Sequence, residues 1–358
     1  MTEQAKTAIR RRIVGSIVSN TDSNMSGARD AQCLGDEDVF LFPNGMNAIF
    51  HVHRTLLHAF GRHESISYGF PYVDTLKILQ KFGPGCLFFG RGSSDELDDL
   101  EILLQSGRRY LALFCEFPGN PLLTCPDLRR IRKLADEYDF AVVVDETIGT
   151  FANVNVLPMA DIVVSSLSKI FSGDSNVMGG SAIFNPCSKH YLLLQRVMKE
   201  EIYEDAYWNE DVIFMERNSR DFLGRVERIN ANAEAICQVL RQSSMVKSLY
   251  YPLFNASKHY YDECRLPHGG YGGLISVVFC YRKQAQAFFN NINIAKGPSL
   301  GTNFTLCSPY VLLAHYHELA WAAEYGVHKD LVRISVGLEQ AEDLKLLFQN
   351  ALSEAEKV

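Results

Sequence analysis

The chain has 358 residues, enough for two domains with sizeable cores, and its 47% hydrophobic and 22% charged residues are ordinary for a globular protein. A net charge of −7 argues against nucleic acid or an anionic membrane as the main partner, and no apolar run reaches the length of a membrane span. Nine cysteines, an odd number without C-x-x-C pairs, point to a reducing, intracellular compartment. Cys115 and Cys280 fall in strand-like runs and are expected as small core residues. The N-terminus is basic at Arg10, Arg11 and Arg12 but lacks the apolar core and cleavage site of a secretory signal, so a cytoplasmic protein is expected.

In chain order, residues 5–18 read as a helix, followed by a polar stretch over 19–31 rich in Ser, Asn, Asp and Gly. Val39–Phe42 reads as a short strand entering Pro43-Asn44-Gly45-Met46, with a helix from Asn47 to about Phe60. A strand, a glycine turn and a helix N-terminus can bind an anion through backbone N–H groups, and they can equally be a plain helix cap. His51/His53 and His315/His317 are H-x-H pairs; residues two apart on a helix do not share a face, so no metal site is expected. Residues 97–104 form a helix with an acidic start, and 110–116 an apolar strand ending in Glu116-Phe117-Pro118-Gly119-Asn120-Pro121. Residues 127–138 are an amphipathic helix with Leu128, Ile131, Leu134 and Ala135 on one face. A strand over 140–144 delivers Asp145, and another over 162–164 runs into Ser165, Ser166, Leu167, Ser168 and Lys169. This strand–helix–strand repetition predicts an α/β fold with a mostly parallel sheet, whose ligands sit beyond the carboxyl ends of the strands.

Lys169 is the residue around which the chain is organised. An ammonium at the end of a buried strand, among hydroxyls and glycines, is costly unless paired or neutralised. A Schiff base with a carbonyl cofactor needs such a desolvated lysine, with hydroxyls and backbone N–H groups holding a nearby phosphate. Asp145 offers the acidic partner that a pyridinium nitrogen requires. Further on, 181–185 read as a strand, 188–243 as long helices, 246–251 and 274–281 as strands, and about 339–355 as the last helix. The glycine cluster Gly269-Gly270-Tyr271-Gly272-Gly273 lacks a following Lys-Ser/Thr and precedes a strand, so it is not a phosphate loop.

The segment Asp145-Glu146-Thr147, then Ala160-Asp161-Ile162-Val163, Ser166-Leu167-Ser168-Lys169, and Ser172-Gly173 on to Met178-Gly179-Gly180 resembles the active-site segment of the Cys/Met-metabolism family of pyridoxal 5′-phosphate (PLP) enzymes. The wording between the motifs is similar to the fungal cystathionine gamma-synthase-like branch. The resemblance implies a fold type I PLP-dependent transferase: a large, mostly parallel seven-stranded sheet domain plus a smaller C-terminal α/β domain. The divisions expected are an N-terminal segment 1–35, a PLP-binding domain 36–221 and a small domain 222–358.

Carried over residue by residue, the resemblance assigns Lys169 to the Schiff base and to proton shuttling, and Asp145 to the pyridine nitrogen. Asn44-Gly45-Met46 matches the family's Ser-Gly-Met phosphate turn with Asn for Ser, so the backbone of Gly45 and Met46 would hold the phosphate with Ser166 and Ser168. Thr147 falls with Asp145 in the Asp-x-Thr motif of the cofactor site. Tyr72-Val73-Asp74-Thr75 has the spacing of Tyr-x-x-Thr, whose tyrosine stacks on the pyridine ring; Tyr68 competes for that role, and a core aromatic is the other reading. Asn120 of Glu-x-Pro-x-Asn-Pro would contact the cofactor ring oxygen and the substrate carboxylate. Ser299-Leu300-Gly301 would border that carboxylate, and Arg333, in the match to Arg-x-Ser-x-Gly-x-Glu, would clamp it with a bidentate fork.

The implied activity is γ-replacement on an O-acylhomoserine, with a thiol or another nucleophile added at Cγ. A β/γ-lyase of sulfur amino acids would keep the same residues. The resemblance covers about residue 5 to the C-terminus, and the family's arm bearing Tyr-x-Arg, which reaches the neighbouring subunit's phosphate, would lie before it. Arg10, Arg11 and Arg12 do not match that arm. Weaker cofactor binding, a substitute basic residue, or a shortened chain acting as a low-activity partner subunit are the consequences to test. A homodimer or homotetramer acting on a small amino acid is expected by resemblance.

Overall fold

The computed structural model describes residues 1–19 and 33–358; the polar stretch expected over 19–31 lies almost wholly outside the described residues. Seven strands form the larger sheet: β1 (Val39–Phe42), β2 (Ser65–Tyr68), β3 (Cys86–Phe89), β4 (Ala112–Glu116), β5 (Ala141–Asp145), β6 (Ile162–Ser165) and β7 (Gly180–Phe184), in the order β1-β7-β6-β5-β4-β2-β3. The run β3-β2-β4-β5-β6 is parallel. Strands covered on both faces read as unbroken apolar runs rather than as alternation, which is why Ala141-Val142-Val143-Val144 is recognisable in the sequence. Helix Leu128–Tyr138 makes one of the crossovers; the Asp127 side chain accepts from the Arg130 N–H at 2.9 Å to start it, and Asp139 in the left-handed region ends it.

Strand polarity brings the candidate residues to one edge. In the parallel register Glu116 lies opposite Asp145, and Asp145 opposite Val164, so three strands end together. β7 returns antiparallel to β6, and β1 is antiparallel to β7 with Phe42 opposite Gly180. β1 therefore runs the same way as β6, and its end delivers Asn44, Gly45 and Met46 to the same edge as Lys169.

A second sheet of five strands has the order β10-β11-β12-β9-β8, with β8 at Val246–Tyr250, β9 at Leu274–Phe279, β10 at Ala295–Lys296, β11 at Leu306–Ser308 and β12 at Val332–Ser335. Only β10 and β11 are parallel neighbours. Its core joins Ile275, Val277 and Ile334 to Ile236, Phe288 and Phe348 of the helices Phe222–Arg241, Arg282–Asn291 and Ala341–Glu356. No helix among the described residues is long and apolar enough to cross a membrane.

Some local readings change. The first helix extends over Thr2–Ser19, and the long helical reading of 188–243 resolves into Tyr191–Val197 with a π-turn over Met198–Ile202, then Asn209–Asn218 and Phe222–Arg241. Cys115 is in the core as expected, but Cys280 is exposed: β9 ends at Phe279, and the chain turns at Cys280 and Tyr281 into the helix Arg282–Asn291. The histidine pairs are absorbed locally. His51 bonds the Asn47 carbonyl, the buried His53 lies 3.3 Å from Ser65 Oγ, and His315 meets Glu318. The described residues contain no group of three metal-binding side chains.

Candidate active site

A cavity of about 770 Å³ opens at the shared carboxyl edge of the strands. Lys169, Asp145, Asn120 and Tyr72 line it, as do the turn at Asn44–Met46 and the serines 166 and 168. Lys169 enters from the turn after β6. Its Nζ donates to Ser299 Oγ at 3.0 Å. Burial lowers its pKa from the ordinary lysine value, and Arg333 nearby adds to the shift. A lysine pushed this way is available as a neutral amine, the form that attacks a carbonyl.

Asp145 ends β5. The Thr147 N–H and hydroxyl both donate to its Oδ1, at 3.0 and 2.6 Å, and Thr147 Oγ1 in turn accepts from the Ser166 N–H at 2.8 Å. Thr147 thus acts through Asp145 and the lysine turn. Burial raises the Asp145 pKa, and the two Thr147 bonds oppose that rise. A cationic ring nitrogen would restore the charged form.

At the opposite wall, the helix Gly45–Phe60 points its N-terminus into the cavity. The Asn44 side chain accepts from the Asn47 N–H at 2.9 Å, so Asn at this position is an N-cap and leaves the first two amides of the helix to a ligand. Gly45 is seated on Ser166: a Cβ added there would come within 2.8 Å of the serine Cβ. Ser168 lines the cavity, but its hydroxyl already accepts from the Gly179 N–H at 2.9 Å and donates to the Gly179 carbonyl at 3.2 Å. Tyr72 is 41% exposed at the mouth, while the competing Tyr68 is buried in the core with its hydroxyl on the Ser93 carbonyl.

Arg333 does not line the cavity. It lies directly behind the wall, 3% exposed, donating to Asn120 Oδ1 at 3.0 Å and to the Pro298 and Ser299 carbonyls at 2.5 and 3.0 Å. Its guanidinium stands 4.0 Å from the centre of the Tyr310 ring, whose hydroxyl accepts from Asn120 Nδ2 at 2.7 Å. Burial pushes Arg333 down to about 10, with Tyr310 opposing the shift and no carboxylate among the described residues offsetting it. A buried guanidinium without an anion is costly, and a substrate carboxylate at Asn120 and Ser299 would supply one.

Two residues in or behind the wall escaped the sequence reading. Tyr310 belongs to no motif, and nothing local marks it. Glu116 was legible as the first letter of Glu-x-Pro-x-Asn-Pro but carried no role. Its two oxygens accept from the Tyr72 N–H at 2.5 Å and the Asn120 N–H at 2.9 Å, tying both walls of the site together. Burial, then the neighbouring Asp145, pushes its carboxyl up to about 8. The unfolded chain releases this proton near the ordinary value of about 4.3. The folded state therefore binds more protons between those values, and stability falls as pH rises to about 8 and levels off beyond it. Melting of cofactor-free protein from about pH 6 to about pH 9 should show that slope, and Glu116→Gln should flatten it. Equal slopes in the two proteins would assign the loss to another group.

The residues present fit PLP. An amine whose pKa burial lowers, a carboxyl on the strand beside it and free amides at a helix N-terminus converge on one cavity, with the buried Arg333 cation behind its wall. Fold and site together have the fold type I architecture of PLP-dependent enzymes. The chain belongs to the Cys/Met metabolism PLP-dependent enzyme family, whose sequence profile matches residues 21–353. It is 61% identical to the cystathionine gamma-synthase of Neurospora crassa over 371 aligned residues, covering 99% of this chain and 59% of that protein. It is 45% identical to a cystathionine gamma-synthase-like enzyme of Amanita muscaria, covering 99% of this chain and 63% of that one. The chain thus spans about three fifths of the length of these relatives. Among solved structures, the cystathionine gamma synthase of Xanthomonas oryzae in complex with cystathionine has the same fold, with a TM-score of 0.77, 22% identity and 98% coverage of both chains.

Proposed function

We propose that the chain catalyses a γ-replacement on an O-acylhomoserine-type amino acid, adding a thiol at Cγ. The observation that carries this is the contact of Lys169 with Ser299 in one cavity with Asp145, backed by the Arg333 cation behind the wall. The similarity to fungal cystathionine gamma-synthases supports the substrate class. In the reaction the Cγ–O bond breaks, the acyl group leaves as a carboxylate, a Cγ–S bond forms and the thiol gives up its proton. PLP supplies a protonated ring that draws electron density from the substrate's Cα.

The protein's own groups do the rest. Ser299 and Asn120, backed by Arg333, receive the substrate carboxylate. Lys169 would take the proton from Cα and return one beyond it. Asp145, held by Thr147, keeps the ring nitrogen charged. Tyr72 would cover the ring at the cavity mouth, and the amides of Gly45 and Met46 with Ser166 would hold the phosphate, joined by Ser168 once its hydroxyl turns from the Gly179 carbonyl. Leu300 borders the carboxylate through its backbone.

The test is product formation from O-acylhomoserine with and without cysteine. Cystathionine forming only with cysteine is the expected result. 2-Oxobutyrate as the sole product under both conditions would replace this reading with that of a γ-lyase. No turnover of either kind, with activity only beside a longer homologue, would support a partner subunit.

We further propose a homodimer or homotetramer in the cytoplasm, with domains dividing at 221/222. Trp208, Ile213 and Phe214 are exposed on and just before the helix Asn209–Asn218, which reaches the cavity through Asp211, and they suit a subunit interface. The buried thiols of Cys115, Cys125, Cys237, Cys264 and Cys307 form no disulfide, in keeping with a reducing compartment. The division falls where the helix Phe222–Arg241 begins.

A further inference from the structure

Arg225 has no part in the roles above, yet it is among the most completely bonded side chains in the protein. It sits in the first turn of the helix Phe222–Arg241 and is 4% exposed. Its five N–H donors find five acceptors. Nε donates to Asp221 Oδ1 at 2.8 Å. One terminal nitrogen donates to the Ile170 carbonyl at 3.1 Å and to Asn303 Oδ1 at 3.0 Å. The other donates to the Phe171 carbonyl at 2.8 Å and to the Asn218 carbonyl at 3.2 Å. Two of these five acceptors are the carbonyls immediately after Lys169.

Asn303 extends the grip. Its N–H donates to the Gly173 carbonyl at 2.8 Å, and its Nδ2 to Asp174 Oδ1 at 2.5 Å, both on the turn that follows Lys169. Its own carbonyl accepts from the Leu338 N–H at 2.9 Å, beyond β12. Gly301, at φ +73°, presses so closely on the lysine turn that a Cβ there would lie 2.5 Å from the Ile170 nitrogen. Ser299, two residues earlier, meets the Lys169 amine. The lysine arrives from the seven-stranded sheet and the serine from the five-stranded one. The contact between them depends on how these two loops are held together.

Stability alone is a weak reason for such an arginine. Burying a guanidinium against neutral carbonyls, with one exposed carboxylate as counterion, gains little over a well-packed apolar side chain. A planar fork with five fixed donors instead fixes direction. We propose that Arg225 is a positioning residue that locks the turn after Lys169 to the 299–303 loop through Asn303, so that the amine and the Ser299 hydroxyl stay in contact during the reaction. This rests on the function proposed above.

The test uses the full chain with PLP bound, comparing the parent with Arg225→Lys and Asn303→Ala. The first keeps the charge and loses the fork. The second leaves Arg225 in place and removes its link to the 299–303 loop. Turnover number should fall in both by about tenfold to a hundredfold, the cost of about 1.5–3 kcal/mol for a lost charge-assisted hydrogen bond, with KM for the amino acid changing much less. A second readout needs no turnover. Competitive acetylation of the cofactor-free proteins, read as the mass of the peptide carrying Lys169, gives the pH at which that amine becomes reactive. Ser299 and Arg333 are the polar groups that face it. Loosening the turn should move the midpoint up, toward an ordinary lysine, in both variants. Unchanged turnover and an unchanged midpoint, whatever happens to the melting temperature, would overturn the proposal and reduce Arg225 to a structural residue. If Arg225→Lys does not fold, Asn303→Ala decides the question alone. A parent chain without turnover that still shows the shifted midpoints would overturn the proposed reaction and leave the positioning role standing.

Discussion

Lys169→Ala should reduce turnover by about a thousandfold or more, because in the proposed reaction one side chain serves as both the cofactor's attachment point and the proton carrier. Its melting temperature should hold or rise. The amine is desolvated, its hydrogen bond is to a single serine, and the cavity beside it is open, so truncation strains nothing. Borohydride reduction of PLP-loaded protein followed by peptide mapping checks the attachment directly. A pyridoxyl mass should appear on the Lys169 peptide of the parent and nowhere in the variant. Turnover surviving in Lys169→Ala would refute the assignment of the lysine.

Asp145→Asn should have the next largest effect. Asparagine keeps the shape and accepts from Thr147, but it carries no charge to hold a ring nitrogen protonated. Loss of a charge-assisted hydrogen bond costs about 1.5–3 kcal/mol, so turnover should fall by about tenfold to a hundredfold, in kcat more than in KM. The variant should be no less stable than the parent, because the aspartate is itself penalised by burial. Glu116 should also drop toward an ordinary glutamate once the charge beside it is gone, which flattens the pH slope of stability. A kcat equal to the parent's would remove Asp145 from the cofactor's electronics.

The residues that line the candidate site were legible because their signals are local. Lys169 and Asp145 each follow a run of buried apolar residues, and parallel strands deliver whatever follows them to one edge. Asn120 sits in a turn whose proline and glycine spacing is readable without a fold. Asn44, Gly45 and Met46 lie on a strand-to-helix junction with a clear cap. Among the elements that went unread, β2, β3 and the helix Val73–Lys81 are short, and β2 and β3 are held mainly by pairing with neighbours rather than by their own pattern.

Sequence by itself determined the fold class and singled out the lysine and the acid that line the cavity, since hydrophobic periodicity and strand ends are properties of neighbouring residues. Tertiary structure alone decided what surrounds them. Asn120 meets Tyr310 across 190 residues and Arg333 across 213, and Lys169 meets Ser299 across 130. Arg225 reaches Asn303 across 78. No spacing rule spans such separations. Whether Arg333 lines the cavity or backs its wall, and whether Cys280 is core or surface, depends on how two sheets dock and where a strand turns, and that is set by the packing of the whole chain.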